Sequence, residues 1–182
     1  MTSDDARFVR LYESYHRQVY VYCRRRASVD QVDDAVAETF LVGWKKIDEV
    51  PGSAEALPWL YGVAYRVLAS QWRGISRRRR FESRLASLGV PGPKTPEDFI
   101  VTRHESRQVL DAAARLKSTD QEILRLSLWE ELSHADIGLV LDINPDAVRK
   151  RLSRALQNLT REFERLENRN THTPAAQKGG AW

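Results

Sequence analysis

Residues 132–155 of the chain read LSHADIGLVLDINPDAVRKRLSRA, a pattern that predicts two short helices joined by a tight turn. Asn144 belongs to a residue type that caps helix N-termini, and Pro145 suits the first helical position, where a missing N–H costs nothing. Pro145 also biases Asn144 away from helical geometry, which marks the boundary. We therefore expect a helix-turn-helix whose second helix begins at Pro145.

The second helix of this motif should have one apolar face and one polar face. Val148, Leu152 and Ala155 recur at helical spacing and predict the buried face. A short helix with a cationic, hydrogen-bonding outer face is what entry into a DNA major groove requires. The residues expected to face DNA are Asn144, Asp146, Arg149, Lys150, Arg151, Ser153 and Arg154. Arg151 flanks the buried face and suits backbone contact, and Asp146 would either accept from a cytosine or favour the helix N-terminus.

The composition bounds the size and the charge of the protein. Its 182 residues allow one medium domain or two small ones, and 42% hydrophobic with 30% charged residues fits two small cores better. The formal net charge is +4, and it is unevenly spread. Residues 66–84 hold seven arginines against one acid, Glu82. Such a run predicts contact with an anionic partner.

Several functional classes are disfavoured by what the sequence lacks. Cys23 is the one cysteine, so an intramolecular disulfide or a cysteine-based zinc site is excluded. The four histidines are scattered without metal-ligand spacing, and we expect neither a metal nor another cofactor. An apolar leader and an apolar run of membrane-spanning length are both missing, which predicts a soluble cytoplasmic protein.

Helical periodicity runs through both halves of the chain, and a β-hairpin pattern is lacking. We expect helices at about residues 8–22, 31–47, 58 into the arginine run, 97–116 and 118–129. A capping box is expected at Ser118, and a weaker one, formed by Ser133 and Asp136, before the first helix of the helix-turn-helix. The prediction is an all-α protein of two small helical domains joined by a flexible linker, the C-terminal one a helix-turn-helix. The expected boundaries are 1–86 for the first domain, 87–96 for the Pro- and Gly-rich linker, 97–167 for the second domain and 168–182 for a disordered tail.

Three motifs in series resemble one protein family. Residues 32–44, VDDAVAETFLVGW, resemble the core-polymerase-binding segment of extracytoplasmic-function (ECF) sigma factors of bacterial RNA polymerase. Residues 58–64, PWLYGVA, lead into an arginine-rich helix and resemble their promoter-melting region. The helix-turn-helix resembles their second promoter-reading domain. The resemblance covers roughly residues 8–166.

The resemblance implies an alternative sigma factor that binds core RNA polymerase and directs promoter-specific transcription initiation, and not an enzyme. Its first domain would bind the clamp of the largest subunit, and its second the flap of the second-largest subunit. Its other partner would be promoter DNA, both double- and single-stranded. Many relatives are held inactive by an anti-sigma factor, which is a further candidate partner. Such a protein would be cytoplasmic and, when active, associated with the nucleoid.

The polymerase-binding assignment falls on the second predicted helix and includes Asp33, Asp34, Glu38, Thr39, Phe40 and Trp44. Asp34 and Glu38 are four residues apart and share a helical face. Carboxylates beside an aromatic side chain would make a protein-binding hot spot, but a solvated acidic face over a buried aromatic core has the same pattern. The resemblance favours contact for Asp34 and Glu38, and leaves Phe40 and Trp44 divided between core and interface.

The assignment to the minus-ten element follows the resemblance and the chemistry of unpaired bases, which proteins hold with aromatic pockets and cations. Residues 49–57 match the family's specificity loop, which captures a flipped base. Taken alone, Trp59 suits a core position better than base stacking. The minus-ten candidates are Pro51, Gly52, Ser53, Trp59, Tyr61, Tyr65, Arg66, Arg73, Arg77, Arg78, Arg79 and Arg80. The outer residues of the helix-turn-helix would then read the minus-thirty-five element.

Three other interpretations compete. A regulator with a LuxR-type helix-turn-helix shares the local pattern, but it predicts strands upstream, and residues 1–88 show no strand pattern. An enzyme acting on nucleic acid would need a metal-ligand cluster, a phosphate loop or a nucleophile setting, and the sequence offers none of these. An anti-sigma or adaptor protein would bind polymerase without reading DNA, and the recognition helix argues against it.

Overall fold

The structure is a computed structural model that describes residues 3–86 and 104–171, with side chains for residues 3–52, 54–74 and 108–169. Within these ranges every regular element is helical, which confirms the all-α prediction. The elements are α1 (Ser3–Arg24), α2 (Val29–Lys45), a 3-10 helix (Ile47–Glu49), α3 (Ser53–Ala86), α4 (His104–Ala114), α5 (Ser118–Leu128), α6 (His134–Leu141) and α7 (Pro145–Thr171). Among the described helices, none has the length and apolar character to cross a membrane. The predicted linker 87–96 lies outside the described residues.

The third helix begins earlier than the sequence predicted. The expected start at Pro58 is wrong, because α3 begins at Ser53 and holds Pro58 in its second turn. Glu55 and Ala56 donate their backbone N–H groups to the Gly52 carbonyl at 3.0 and 3.1 Å, so the helix is established before the proline. The predicted loop 49–57 is consequently short: only residues 50–52 separate the 3-10 helix from α3.

The caps of α5 and α6 differ from each other. Ser118 is not the cap of α5, because the helix begins at Ser118 and the N-cap position falls on Lys117, which makes no side-chain cap hydrogen bond. In α6 the expected cap is present. Asp136 donates its backbone N–H to Ser133 Oγ at 3.1 Å, and the Ser133 hydroxyl donates to Asp136 Oδ2 at 2.6 Å. A reciprocal pair of this kind fixes the entry of α6.

The chain divides into two compact units, and the first comprises Met1–Pro96 and Leu132–Pro145. In it α1, α2 and α3 pack against one another, and α6 packs against α3. The interior includes Val19, Tyr22, Val32, Leu60 and Leu68. The contact between α6 and α3 is close, since a Cβ added at Gly62 would lie 3.4 Å from the Val140 carbonyl oxygen.

The second unit comprises Glu97–Glu131 and Asp146–Trp182. Its core cluster joins Leu116, Leu124 and Ala155, with Leu152 and Leu159 packed against it. Val148 and Ala155 are fully buried, which confirms the predicted apolar face of the second helix of the motif. This helix, α7, extends to Thr171, so the beginning of the predicted disordered tail is helical; residues 172–182 lie outside the described residues.

Cys23 lies in the interior of the first unit and should be chemically inert. Burial raises the pKa of its thiol from 9.0 to about 12, and the nearby Arg26 lowers it only partly. Because the unfolded thiol ionises at lower pH, this group should reduce stability as pH rises from about 9 to 12. We expect negligible alkylation by iodoacetamide at pH 8 in the native protein and rapid alkylation in denaturant. Comparable alkylation rates in the native and in the denatured protein would contradict the burial of Cys23.

Candidate nucleic-acid and protein interfaces

The outer face of α2 carries the acidic residues that the sequence singled out. Asp33, Asp34 and Glu38 are all exposed. Thr39 is fully buried, and its hydroxyl donates to the Ala35 carbonyl at 2.7 Å. Phe40 is also buried. Both side chains therefore pack inside and support the acidic face: the structure does not place Thr39 at the surface where a partner would touch it, and of the two roles left open for Phe40 it shows the core position.

An aromatic cleft lies beside the acidic face, between α1 and α2. It has a volume of about 470 Å³, and its lining includes Phe8, Tyr12, His16, Phe40, Leu41 and Trp44. The ring centroids of Phe8 and Trp44 lie 4.9 Å apart, with an edge-to-face angle of 85°. Trp44 is 41% exposed and Leu41 50% exposed. Large apolar side chains at such exposure are typical of a protein-binding surface. From the sequence, Tyr12 was only one residue of the helix expected at 8–22; its four-residue spacing from Phe8 and His16 was the available signal.

The 3-10 helix is tied to α1 by an arginine that the sequence reasoning missed. Arg7 Nη1 donates to Asp48 Oδ1 at 2.9 Å, and Arg7 Nη2 donates to the Ile47 carbonyl at 3.0 Å. The ion pair is exposed and contributes little to stability by itself. Its geometric effect is more important, because it positions the start of the segment that leads through Pro51 into α3.

The aromatic residues of α3 are not equivalent. Tyr61 is buried and stacks on Tyr22 with 4.6 Å between ring centroids. The Arg26 guanidinium carbon lies 3.6 Å from the centroid of the Tyr22 ring. Tyr61 is thus a core residue in this structure, and the expectation that it contacts a base is not met here. A stacking partner 39 residues away could not be read from local periodicity.

The remaining minus-ten candidates on α3 lie closer to solvent. Trp59 and Tyr65 are half-buried, and Arg66 and Arg73 are exposed. Pro51 is half-buried and Gly52 is exposed. Arg77, Arg78, Arg79 and Arg80 belong to the α3 backbone, and their side chains, like that of Ser53, lie outside the described residues.

The turn of the helix-turn-helix has a specific backbone geometry. Asp142 ends α6 in the left-handed region with φ of 54°. The backbone N–H groups of Asp142 and Ile143 both donate to the Gly138 carbonyl. This is a compact helix end of the kind that reverses chain direction. It leads directly into α7 at Pro145, so the predicted start of the second helix is confirmed.

The outer face of α7 is as polar and accessible as the sequence predicted. Asn144, Asp146, Arg149, Lys150, Arg151, Ser153 and Arg154 are all exposed. Arg149 pairs with Asp146 at 3.4 Å across one helical turn. Asp146 also lies in the first turn, where a carboxylate favours the helix dipole. These observations favour the interpretation that Asp146 stabilises the start of α7 over the interpretation that it accepts a hydrogen bond from a cytosine.

Replacing Gly138 with alanine should destabilise the motif. An added Cβ would lie 2.7 Å from the Ile143 carbonyl oxygen, a contact that forces the turn to shift. We expect the free energy of unfolding to fall by about 1–3 kcal/mol in urea denaturation, the usual cost of overpacking. Gly74→Ala is the matched control, because no described atom outside its own stretch of helix lies within 4 Å of the added Cβ and alanine favours a helix. Unchanged stability of Gly138→Ala would contradict the close approach.

Two family models match the chain. Residues 11–79 match sigma-70 region 2, and residues 106–159 match sigma-70 region 4. The first range contains the acidic face, the aromatic cleft and most of α3. The second contains the helix-turn-helix. Within the described residues there is no group of three or more His, Cys, Asp or Glu residues that could hold a metal ion.

Curated relatives point to the same family. The chain is 25% identical over 171 residues to the "ECF RNA polymerase sigma-E factor" of Haemophilus influenzae, and the match covers 90% of each chain. It is 30% identical over 136 residues to the "Probable RNA polymerase sigma factor RfaY" of Xanthomonas campestris; this match covers 72% of the chain but only 34% of that protein.

A solved structure shares the fold. The sigma factor RpoE of Bartonella quintana, crystallised with the anti-sigma factor NepR, matches with a TM-score of 0.63 at 18% identity. The match covers 86% of this chain and 96% of that one. Similarity at this level of identity speaks for the helical architecture alone.

Taken together, an all-α fold, a region 2 and a region 4 define a transcription initiation factor. The chain belongs to the sigma-70 family, in its extracytoplasmic-function class. It is an alternative sigma factor that binds core RNA polymerase and directs initiation at promoters. The LuxR-type alternative finds no support, because residues 11–79 match a sigma-70 region.

Proposed function

We propose that three separate surfaces divide the work of this sigma factor: one binds the polymerase clamp, one holds the minus-ten element and one reads the minus-thirty-five element. The observation that carries the proposal is the outer face of α7. Six polar residues on this helix and Asn144 just before it are exposed, and buried Val148 and Ala155 anchor the other face of the helix. A helix held in this way presents cations and amides rigidly to a major groove.

The clamp of the largest polymerase subunit binds the outer face of α2. The exposed carboxylates of Asp33, Asp34 and Glu38 supply charge, and Trp44 with Leu41 supplies apolar area next to them. Binding hot spots combine desolvated aromatic anchors with oriented charges. Thr39 and Phe40 act from inside, by holding α2 in place. This arrangement fits a basic partner helix better than an acidic one.

The minus-ten element binds around residues 50–52 and along α3. Trp59 and Tyr65 offer partly accessible rings, while Arg66 and Arg73 offer exposed guanidinium groups. The arginines at 77–80 continue the same helix and bind phosphates. Each phosphate contact steepens the dependence of binding on salt by about 0.7–0.9 log units per log unit.

The second domain also docks on the flap of the second-largest subunit. An exposed apolar surface at the end of α5 supports this assignment, because Leu128 is 58% exposed and Trp129 42% exposed. The Arg125 guanidinium carbon lies 5.9 Å from the centroid of the Trp129 ring. This surface lies on a different helix from the proposed DNA-reading face of α7.

Regulation and location follow the family. An anti-sigma factor is a candidate partner of this protein. RpoE of Bartonella quintana, which shares the fold, was crystallised with the anti-sigma factor NepR. The aromatic cleft between α1 and α2 offers an apolar surface that such a protein would compete for with the polymerase. We place the active protein in the cytoplasm, at the nucleoid.

In vitro transcription tests the proposal. Purified protein is added to core RNA polymerase on fragmented genomic DNA, and RNA start sites are mapped by sequencing. We expect discrete starts that require this protein and share a two-part upstream motif. The absence of such starts with an active core enzyme would overturn the proposal. A pull-down of core polymerase then shows whether polymerase binding or promoter reading has failed.

A further inference from the structure

The turn between α1 and α2 carries a serine behind a run of arginines. Residues 24–29 read RRRASV, so Ser28 follows Arg25 by three positions and directly precedes the apolar Val29. Protein kinases with an acidic substrate groove select a serine by the cations a few residues before it, because carboxylates bind guanidinium groups through strong, paired hydrogen bonds. The turn therefore has the charge pattern of a kinase substrate.

The structure makes this serine accessible. Ser28 is exposed, and its backbone is extended, with φ of −67° and ψ of 155°. Its hydroxyl lies at the surface, where it donates to Gln31 Oε1 at 2.9 Å. Phosphoryl transfer requires the attacking oxygen to stand in line with the leaving oxygen. A surface hydroxyl on extended backbone can be brought into that line without unfolding a helix.

The residues on both sides of the serine are also within reach of a kinase groove. Arg24 and Arg25 are exposed at the end of α1. Val29 is 77% exposed, so the position after the serine is open as well. Arg26 is buried, with its guanidinium carbon 3.6 Å from the centroid of the Tyr22 ring. Recognition of the folded protein therefore falls on the two arginines that precede Arg26.

Two other serines show what favours Ser28. Ser153 also follows cations, Lys150 and Arg151, but it lies in the middle of α7, where helical hydrogen bonds hold the backbone. Ser133 is an exposed N-cap like Ser28, with φ of −65° and ψ of 161°, but the positions two and three residues before it hold glutamate. Ser28 combines the preceding cations of the first with the accessible backbone of the second.

We propose that Ser28 is a phosphorylation site for a serine/threonine kinase that selects basic sequences, with a nucleoside triphosphate as the phosphoryl donor. The Ser28 oxygen forms a bond to the γ-phosphorus, and the bond from that phosphorus to its bridging oxygen breaks, so that the nucleoside diphosphate leaves with the bonding electron pair. The hydroxyl proton passes to the catalytic aspartate of the kinase. This modification goes beyond the proposed function and does not depend on it.

The phosphate changes the start of α2, the helix that carries the acidic face. It adds a charge of about −1.5 to −2 and three accepting oxygens, whereas the unmodified Ser28 hydroxyl donates to Gln31 and gives α2 no side-chain cap. The helix dipole and the exposed Arg24 and Arg25 favour this anion, and Asp30 in the first turn opposes it. We therefore expect amide hydrogen exchange in the first turn of α2 to slow roughly 2- to 5-fold on phosphorylation.

The first experiment treats the folded full chain with ATP and the catalytic subunit of cyclic-AMP-dependent protein kinase, a probe that selects arginine-rich sequences. Mass spectrometry locates the phosphate. We expect Ser28 to react at a rate comparable with that of a peptide of residues 20–34, and Ser133 to stay unmodified. Arg25→Ala should slow the reaction at Ser28 roughly 10- to 150-fold, the equivalent of one hydrogen bond between charged groups. Arg17→Ala is the matched control, because Arg17 is an exposed arginine of α1 outside the turn, and it should keep the wild-type rate.

Val29→Asp provides a second test that does not depend on how the turn tolerates the loss of Arg25. Val29 is largely exposed, so its replacement leaves the core intact. The acidic groove should repel the new carboxylate and slow the reaction at Ser28 roughly fivefold, the scale of two like charges about 4 Å apart in water. Val29→Thr adds no charge and should keep the wild-type rate.

The protein is then isolated from its own bacterium during growth and under stress, and the same two serines are mapped. Phosphate on Ser28 and not on Ser133 supports the proposal. The proposal is overturned if Ser28 carries no phosphate in the cell, if the probe modifies the peptide but not the folded chain, or if Arg25→Ala and Arg17→Ala react alike. Each of these results leaves the assignment as a sigma factor unaffected, because none of them involves RNA polymerase or promoter DNA.

Discussion

Replacing Asp34 and Glu38 together with alanine should weaken binding to core RNA polymerase by about 30-fold or more, the scale of an interface hot spot. Both carboxylates are exposed and lie four residues apart on α2. Their removal leaves no buried group unpaired, so the free energy of unfolding should stay within about 0.5 kcal/mol of wild type. The affinity is measured by fluorescence anisotropy with labelled protein and purified core enzyme.

A control distinguishes this site from a general charge effect. Glu13→Ala removes an exposed carboxylate from α1 and should leave polymerase affinity within about twofold, as expected for an exposed charge outside the interface. An equal loss in the control would indicate long-range electrostatics. A loss of stability in the double variant would indicate a folding role for the two acids. Either result would contradict the assignment of the acidic face.

The second large effect is expected on α7. Arg149→Ala or Lys150→Ala should reduce transcription from cognate promoters by roughly 5- to 150-fold, which corresponds to losing one bidentate base contact worth about 1–3 kcal/mol. Both residues are exposed, and polymerase affinity should be unchanged. For Arg149 a small part of the effect reflects its ion pair with Asp146, which DNA must compete with. Run-off transcription with holoenzyme measures the loss.

Arg161→Ala is the matched control for these substitutions. It removes an exposed arginine from the same helix, but at a site several turns beyond the proposed recognition surface. The control should retain promoter use within about twofold. Base substitutions in the minus-thirty-five element should have smaller effects in Arg149→Ala than in wild type. If the base substitutions have the same effects with Arg149→Ala as with wild type, Arg149 contacts the DNA backbone and does not read a base.

Local patterns were reliable where the structure depends on neighbouring residues. Pro145 begins α7, and Ser133 caps α6, as the sequence predicted. Val148 and Ala155 are buried on the predicted face. Helix starts, caps and apolar faces depend on residues within one or two turns, and sequence periodicity reports them directly. The start of α3 was misplaced because the residues before Pro58 are good helix formers and extend the helix in front of it.

The sequence by itself therefore determined the all-α architecture, the helix-turn-helix, and the acidic and basic surfaces. Tertiary structure alone decided which side chains on those helices reach solvent. Tyr61 is buried because Tyr22, 39 residues away, stacks on it. Thr39 is buried inside the bundle, where the Ala35 carbonyl accepts the hydrogen bond of its hydroxyl. The aromatic cleft exists only because Phe8 of α1 meets Phe40 and Trp44 of α2, which are 32 and 36 residues away. Burial and cavities depend on which distant residues meet, and a helical period carries no information about that partner.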